Sequence, residues 1–482
     1  MKPHLLLILL LAVAAACGWW GHVERRERLA EEKLAAFDRK NLALVQAENE
    51  RLRQVLGGYE KARQQARQLA QRKEIEEATA RIRGLAFKHP VAYDVLTREG
   101  IKKVLQGKIS EQFSDAEFEH ARLGYVALGL IPTDYPLKQR YLELLSEQVA
   151  AFYDQHTHRL YMYEDASLDS LQNRIILSHE LTHALQDQYF GLKELPLEAR
   201  DNDDRAAAAS ALVEGDATLE MNEFAMEGLS WKGIRQSVAG VFSQNMEQLQ
   251  SAPRFLRESL LFPYTEGLRF CTELYDERGF GGVSAAYGRP PASSSEILHP
   301  ETYQAGEIPV PVAWKDTHVL GEAPNADNVL GELGARILLT DWTDSATATA
   351  AVKGWRGDRY LVFNKGRALI WRSHWASAQE AAQFMQAVSQ MWKKRYGADV
   401  SAQNAGQADA TLVHASGRSL RLAAIVATGN SDEEVSREAA KAAKVPDTGA
   451  SPEAKGPAGM DVILIDAPDD RWAEALWEKF GR

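Results

Sequence analysis

Residues 169–191 constrain this chain more than any other stretch, because they contain Ser178-His179-Glu180-Leu181-Thr182-His183-Ala184. Side chains four apart on a helix share a face, so His179 and His183 can meet one metal ion. Imidazoles suit zinc, and Glu180 stands where a general base takes a proton from water activated by the metal. Asp169 or Ser170 can cap the start of the helix, and Gly191 can end it. Leu171, Ile175 and Ile176 precede the histidines, and Leu181, Ala184 and Leu185 follow them. Apolar residues on more than one side predict a buried helix. An ordinary core helix can carry the same five-residue pattern, so the reading depends on a third ligand.

Residues 203–228 read as a second helix containing Ala211-Leu212-Val213-Glu214-Gly215-Asp216-Ala217. Glu214 shares a face with Ser210, Ala211, Ala217, Thr218 and Met221, mostly small side chains that would let this helix approach the first closely. Its flanks Leu212, Val213, Gly215 and Ala217 suit a solvent face poorly. His179, His183 and Glu214 then form a two-histidine, one-carboxylate zinc site with one position open for water.

This combination resembles the gluzincin branch of the zincins. The run from His179 to Ala184, followed by Asp187, is similar to the thermolysin active-site helix. The likeness to thermolysin stops there, since Glu214 lies in Glu-Gly-Asp-Ala and not in an Asn-Glu context. Glu-Gly-x-Ala is closer to aminopeptidase-type gluzincins, but no Gly-Ala-Met-Glu-Asn-like motif accompanies it. Flanking phrases, from Ala151-Phe152-Tyr153-Asp154 to His299-Pro300-Glu301-Thr302-Tyr303, look like a largely uncharacterised bacterial envelope family. The resemblance covers roughly residues 85–375. It implies a zincin-like catalytic domain, Zn2+ and a peptide or protein substrate. It also implies an edge strand before the active-site helix that pairs with extended substrate, for which Arg159–Tyr163 is the candidate. A donor must stabilise the tetrahedral oxyanion. His299 and Tyr303 are candidates, with Tyr153 a third, and each equally fits a packed structural role.

With 482 residues, 45% hydrophobic and 26% charged, the chain can bury a sizeable core. Acidic residues (67) outnumber basic ones (56), for a net charge of −11, and no basic stripe is evident. Nucleic acid is therefore not an expected partner. Two cysteines, Cys17 and Cys271, build neither a disulfide framework nor a cysteine zinc site.

Residues 1–20 read as a signal, lipoprotein or membrane anchor. Lys2 precedes an apolar run over 5–16, Ala14-Ala15-Ala16 offers a cleavage site, and Cys17 follows as in a lipobox, though Ala14 stands where leucine is usual. The alternatives are plain secretion or an uncleaved anchor with Trp19-Trp20 at the interface. The lipidated and the anchored readings both place the remainder outside the cytoplasm, and the expected location is a bacterial envelope. Residues 21–83 are charged, helical and proline-free. Leu42, Val45, Asn49, Leu52, Leu56 and Tyr59 form a short heptad seam, interrupted by Gly57-Gly58. The seam fits a stalk, a homodimer or a helix folded back on its own domain.

Ser114-Asp115-Ala116-Glu117 is a capping-box pattern. Strands are expected over 148–153 and Arg159–Tyr163, with His156 and His158 exposed in the turn between them. Asp187, Asp203, Asp204 and Asp216 surround the ligand helices as candidate partners for a histidine's other ring nitrogen. Residues 359–363 and 367–371 read as a hairpin around Asn364-Lys365-Gly366. Helix is expected over 376–396, strands over 410–414, 420–427 and 461–465, a flexible insert over 430–459, and a last helix over 471–480. The expected fold is α+β, predominantly α. It comprises the N-terminal long helix or coiled coil, a zincin-like metallopeptidase domain over 84–353, and a small α+β unit over 354–482. The function these features imply is metal-dependent peptide hydrolysis. A non-catalytic zincin-fold scaffold acting through its coiled coil is the rival.

Overall fold

The computed structural model describes residues 3–148, 151–164, 166–227, 246–397, 412–426 and 459–481. Among these residues helices predominate, accompanied by two sheets. The chain divides into two compact units, Met1–Lys73 and Glu74–Arg482.

Helix α1 spans Pro3–Arg83 and thus crosses that boundary, which falls earlier than the one expected after residue 83. Its alanine, leucine, glutamate, lysine and arginine favour helix. Near the N-terminus it carries a stretch long and apolar enough, by length and composition, to cross a membrane. The helix continues through Gly57-Gly58. Leu42, Val45, Leu52, Leu56 and Tyr59 of the heptad seam are all exposed.

In the second unit, β1 (Ala92–Leu96) is followed by α2 (Arg98–Gln112), α3 (Asp115–Leu128) and α4 (Leu137–Gln148). Ser114 and Glu117 close the expected capping box at the start of α3. Next come β2 (Ala151–Asp154) and β3 (Arg159–Tyr163), in a three-stranded sheet ordered β1-β3-β2. Arg159–Tyr163 is therefore the middle strand and not an edge. It pairs parallel with β1 on one side and antiparallel with β2 on the other, which uses the backbone groups a peptide would need. Among the described residues, the free edge beside the helix that carries His179 and His183 is β2.

Helix α5 (Leu171–Phe190) starts after Ser170 and ends at Gly191, whose φ of 67° supplies the left-handed turn. Helix α6 (Asp203–Glu227) follows; residue 228, the expected end, lies outside the described residues. After α7 (Met246–Ser251) comes α8 (Arg254–Arg278). The tightest approach of α6 is to α8, not to α5. A Cβ on Gly215 would come within 2.2 Å of the Gly267 carbonyl oxygen, and one on Gly267 within 2.2 Å of the Ala211 carbonyl oxygen. Only glycine lets these backbones touch.

Short helices α9 (Phe280–Ala286), α10 (Ser294–Leu298) and α11 (Pro300–Gln304) lead to β4 (Ala326–Asn328), α12 (Gly331–Thr340) and α13 (Ser345–Val352). Strands β5 (Trp355–Phe363) and β6 (Ala368–Trp375), helix α14 (Ala378–Tyr396), strands β7 (Val413–Ala415), β8 (Arg418–Val426) and β9 (Met460–Ala467), and helix α15 (Asp470–Phe480) complete the chain. The second sheet is antiparallel, in the order β4-β5-β6-β9-β8-β7. Asn364, Lys365 and Gly366 all take positive φ at the β5–β6 turn. Alternation along β6 sends Leu369, Trp371 and Trp375 to a core with α14, and Ala368 and Ile370 to one with α15. No compact-unit boundary falls at residue 354, because β4, α12 and α13 already belong to the sheet and its core. The insert expected over 430–459 lies outside the described residues except for residue 459.

Candidate metal centre

The site is assembled by two buried helices. His179 and His183, one turn apart on α5, bring their Nε2 atoms to 3.1 Å from each other. The Glu214 carboxylate of α6 comes from across the helix pair, with Oε2 3.2 Å from His179 Nε2 and 3.5 Å from His183 Nε2. A tetrahedral ion with bonds of about 2.0–2.1 Å separates its ligand atoms by about 3.3–3.4 Å. The three donors thus have both the chemistry and the spacing zinc requires, and they form a group able to hold a metal.

The tautomer of His183 follows from its neighbour. Gln186 Nε2 faces two acceptors, the Val213 carbonyl at 2.9 Å and Asp216 Oδ2 at 3.0 Å. Its Oε1 must therefore accept from His183 Nδ1, at 2.9 Å. Neutral His183 then carries its lone pair on Nε2, facing the other two ligand atoms. His179 Nδ1 is buried without a hydrogen-bond partner.

Charge at the centre is tightly balanced. Burial pulls the His183 imidazole towards neutrality, but the Glu214 carboxylate, aided by Glu180 and Gln186, outweighs it and raises the pKa to about 9. Burial raises Glu214, and the two imidazoles overcome this to hold it well below the usual carboxylate range. Protons and a metal ion compete for these atoms, so metal binding would release protons.

Glu180 is buried, and burial raises its pKa above the usual glutamate value. Its Oε2 accepts the Tyr153 backbone N–H from β2 at 2.7 Å, which orients the carboxylate next to the ligand cluster. The Tyr153 hydroxyl donates to Asp187 Oδ2 at 2.7 Å, where His158 Nδ1 also lies at 2.6 Å. His156 and His158 are exposed, as expected. The other oxyanion candidates are engaged elsewhere. His299 Nε2 pairs with Glu332 at 2.8 Å. Tyr303 donates to the Arg289 carbonyl at 2.8 Å, and the Arg289 guanidinium covers its ring at 3.7 Å.

Helix α8 supplies a residue the sequence reading did not select. The Tyr264 ring lies over His179, with centroids 6.4 Å apart and planes at 29°. Burial, together with the Glu214 and Glu180 carboxylates, pushes its hydroxyl pKa well above that of free phenol, and the hydroxyl bonds to Glu214. The available signal was Gly267. A glycine inside a helix marks a close crossing, and Tyr264 stands one turn before it.

Of the four surrounding aspartates, Asp216 connects to His183 through Gln186, and Asp187 holds Tyr153 and His158. Asp203 accepts the Tyr125 hydroxyl at 3.0 Å, and Asp204 the Ser294 backbone N–H at 3.1 Å.

A family model described as a domain of unknown function (DUF8575) matches residues 318–437. This match covers much of the large sheet and includes none of His179, Glu180, His183 or Glu214. No curated protein and no solved structure matches the chain.

Proposed function

We propose that this chain is a zinc metallopeptidase of gluzincin type, held in the bacterial envelope by its N-terminal segment. The observation that carries the reading is the convergence of His179, His183 and Glu214 at coordination spacing, with the Glu180 carboxylate beside them. Zinc bound by these three residues would polarise a scissile carbonyl and lower the pKa of a water. Glu180 takes the water's proton at its carboxylate and delivers it to the leaving amine. When substrate binds, the Tyr264 hydroxyl would turn from Glu214 to donate its hydrogen bond to the oxygen that becomes negative, in the role first considered for His299, Tyr303 and Tyr153. An extended peptide or protein segment pairs with β2, the free strand edge next to Glu180.

The apolar N-terminal stretch of α1 supports a membrane attachment. Cys17, exposed and free, is the lipidation position if that segment is cleaved; otherwise the helix itself is the anchor. The exposed seam from Leu42 to Tyr59 suits a homodimer.

The test uses the purified full chain in detergent. Elemental analysis is expected to find about one zinc per chain, and Glu214→Ala to lose it, because two histidines under-coordinate the ion. Glu180→Gln keeps the zinc and slows cleavage of envelope proteins by about 10²- to 10⁴-fold. Equal zinc in Glu214→Ala would remove Glu214 from the site. Undiminished biological activity in Glu180→Gln would replace the peptidase with the non-catalytic scaffold acting through its coiled coil.

A further inference from the structure

The final turns of α1 approach the metal centre from a side that the proposed chemistry does not use. Ile75, Thr79 and Arg83 lie four apart and are each almost completely buried. Ile75 packs in the core that contains Leu177 and Leu181 of α5 and Met221 of α6. Thr79 lies beside the buried carboxyl of Glu220, which accepts the hydroxyl of Thr182, the neighbour of His183, at 3.0 Å. Arg83 is the last residue of the helix and only 1% exposed. Its Nε lies 2.8 Å from Asp216 Oδ1, one terminal nitrogen donates to Asp216 Oδ2 at 3.1 Å, and the other donates to Ser284 Oγ at 3.0 Å. The guanidinium sits over the Phe280 ring, 4.8 Å from its centroid.

Asp216 is fully buried. Besides Arg83, it accepts the Tyr287 hydroxyl at 2.8 Å and Gln186 Nε2 at 3.0 Å. Without Arg83 the Asp216 carboxylate loses the group that fixes both its oxygens and would have to move. That shift alters what Gln186 Nε2 meets. Gln186 Nε2 is then held by the Val213 carbonyl alone, and the constraint that keeps Oε1 on His183 Nδ1, and with it the His183 tautomer and ring angle, weakens. The path from Arg83 to the ligand is three contacts long, and every group on it is at most 9% exposed.

We infer that Arg83 is a positioning residue for the metal centre. Through Asp216 and Gln186 it holds His183 with Nε2 directed at the ion, so the end of the N-terminal helix is a working part of the site. This rests on the metal-binding half of the function proposed above, but not on peptide cleavage. Hydrogen bonds that orient a ligand histidine typically change metal affinity by about 10- to 100-fold when removed. The last turns of α1, which belong to the second compact unit, are thus part of the network that sets metal affinity.

The test measures zinc affinity of the full chain in detergent by competition with a chromophoric chelator, alongside thermal unfolding of the metal-free protein. Gln186→Leu removes the link to His183 and leaves the Arg83–Asp216 pair in place. It is expected to weaken zinc binding by about 10- to 100-fold. Arg83→Met should weaken it by a similar factor. In the Gln186→Leu background, Arg83→Met should have little further effect on affinity, because its influence passes through Gln186. Arg83→Lys, which keeps the charge but not the two-nitrogen grip, serves if Arg83→Met does not fold, and an intermediate loss is expected. Unfolding at lower temperature with unchanged zinc affinity in the folded Arg83 variants would overturn the inference, as would independent effects in the double variant. If the wild-type chain binds no zinc, both the inference and the metallopeptidase reading fail. If zinc binding behaves as expected and no peptide is cleaved, the inference stands and the peptidase reading alone falls.

Discussion

The helical side around α5, α6 and α8 and the side built on the large sheet have opposite interiors. Around α5 and α6 the buried set includes Arg83, Glu180, His183, Gln186, Asp216 and Glu220. Around β5, β6 and α14 it includes Trp355, Trp371, Trp375, Phe384 and Trp392. The sheet side also buries carboxylates, but fixed donors hold them. Asp358 accepts the Leu330 and Gly331 backbone N–H groups, Asp461 pairs with Arg372 and His374, and Asp466 pairs with Arg418 and Tyr396. On the helical side three donors crowd one point, and the buried His179 Nδ1 has no hydrogen-bond partner. An apolar interior is held by area and packing, and tolerates many exchanges of similar volume. A polar interior is held by pairing, so each residue matters individually. The DUF8575 match falls on the apolar side, and the grouping able to hold a metal lies on the other.

The strongest challenge to this contrast is a cavity cut into the sheet side by substitution. Trp375 is fully buried, its ring stacks on Phe384 at 4.4 Å, and its Nε1 donates to Ser373 Oγ at 2.9 Å. Trp375→Ala is expected to destabilise the fold by about 3–5 kcal/mol. Zinc affinity of the remaining folded protein should stay within about twofold of wild type, since separated sites act nearly independently. Denaturant unfolding and chelator competition on the same sample decide it. A parallel loss of zinc affinity would show that the two interiors are one mechanical system.

Tyr264→Phe makes the converse cut. It removes one oxygen from the helical side and leaves the ring over His179. Loss of a single oxyanion donor typically slows turnover by about 10²- to 10³-fold. The expected result is a fall in kcat of that order with KM nearly constant, zinc content retained and stability within about 1 kcal/mol of wild type. An unchanged kcat would reduce Tyr264 to a packing residue.

The same contrast explains what was legible in the sequence. Periodicity reports apolar faces, so β5, β6, α14, β9 and α15 were readable, as were α5 and α6. Glu214 was legible because its neighbours suit no solvent face. Strand order was not legible. Arg159–Tyr163 has the composition of a strand, but the pairing of β1 on its far side depends on residues more than sixty positions earlier. Tyr264 was hidden for a similar reason: its place over His179 is set by the Gly215–Gly267 contact between two helices. Arg83 looked like one more charge on a charged helix. Only the packed structure distinguishes it from its exposed neighbour Arg81, which reaches Glu227 on the surface.

The smallest expected effect concerns Asp204, at the start of α6, where the helical side meets the segments leading to the sheet. Its carboxyl is 4% exposed, accepts the Ser294 backbone N–H and lies against Gly331. Burial, with the Asp358 and Glu332 carboxylates nearby, raises its pKa to about 7, although the Ser294 contact opposes this. The folded value exceeds the unfolded one, so the fold favours the protonated acid. That contribution is complete below the unfolded pKa near 4 and is lost as pH rises through about 7. Each pH unit inside this window is worth at most about 1.4 kcal/mol. Asp358, raised to about 6 by its own burial, adds a slope of the same sign over a lower range. Asp204→Asn stays neutral at every pH and can still accept from Ser294. Chelator-treated wild type should therefore lose stability relative to Asp204→Asn between about pH 5 and pH 8, by roughly 1–3 kcal/mol, with the variant the more stable at pH 8. Unfolding curves recorded across that range test this directly. Parallel curves would mean that Asp204 is already ionised in the fold, and that this junction tolerates charge as the interior around Asp216 does.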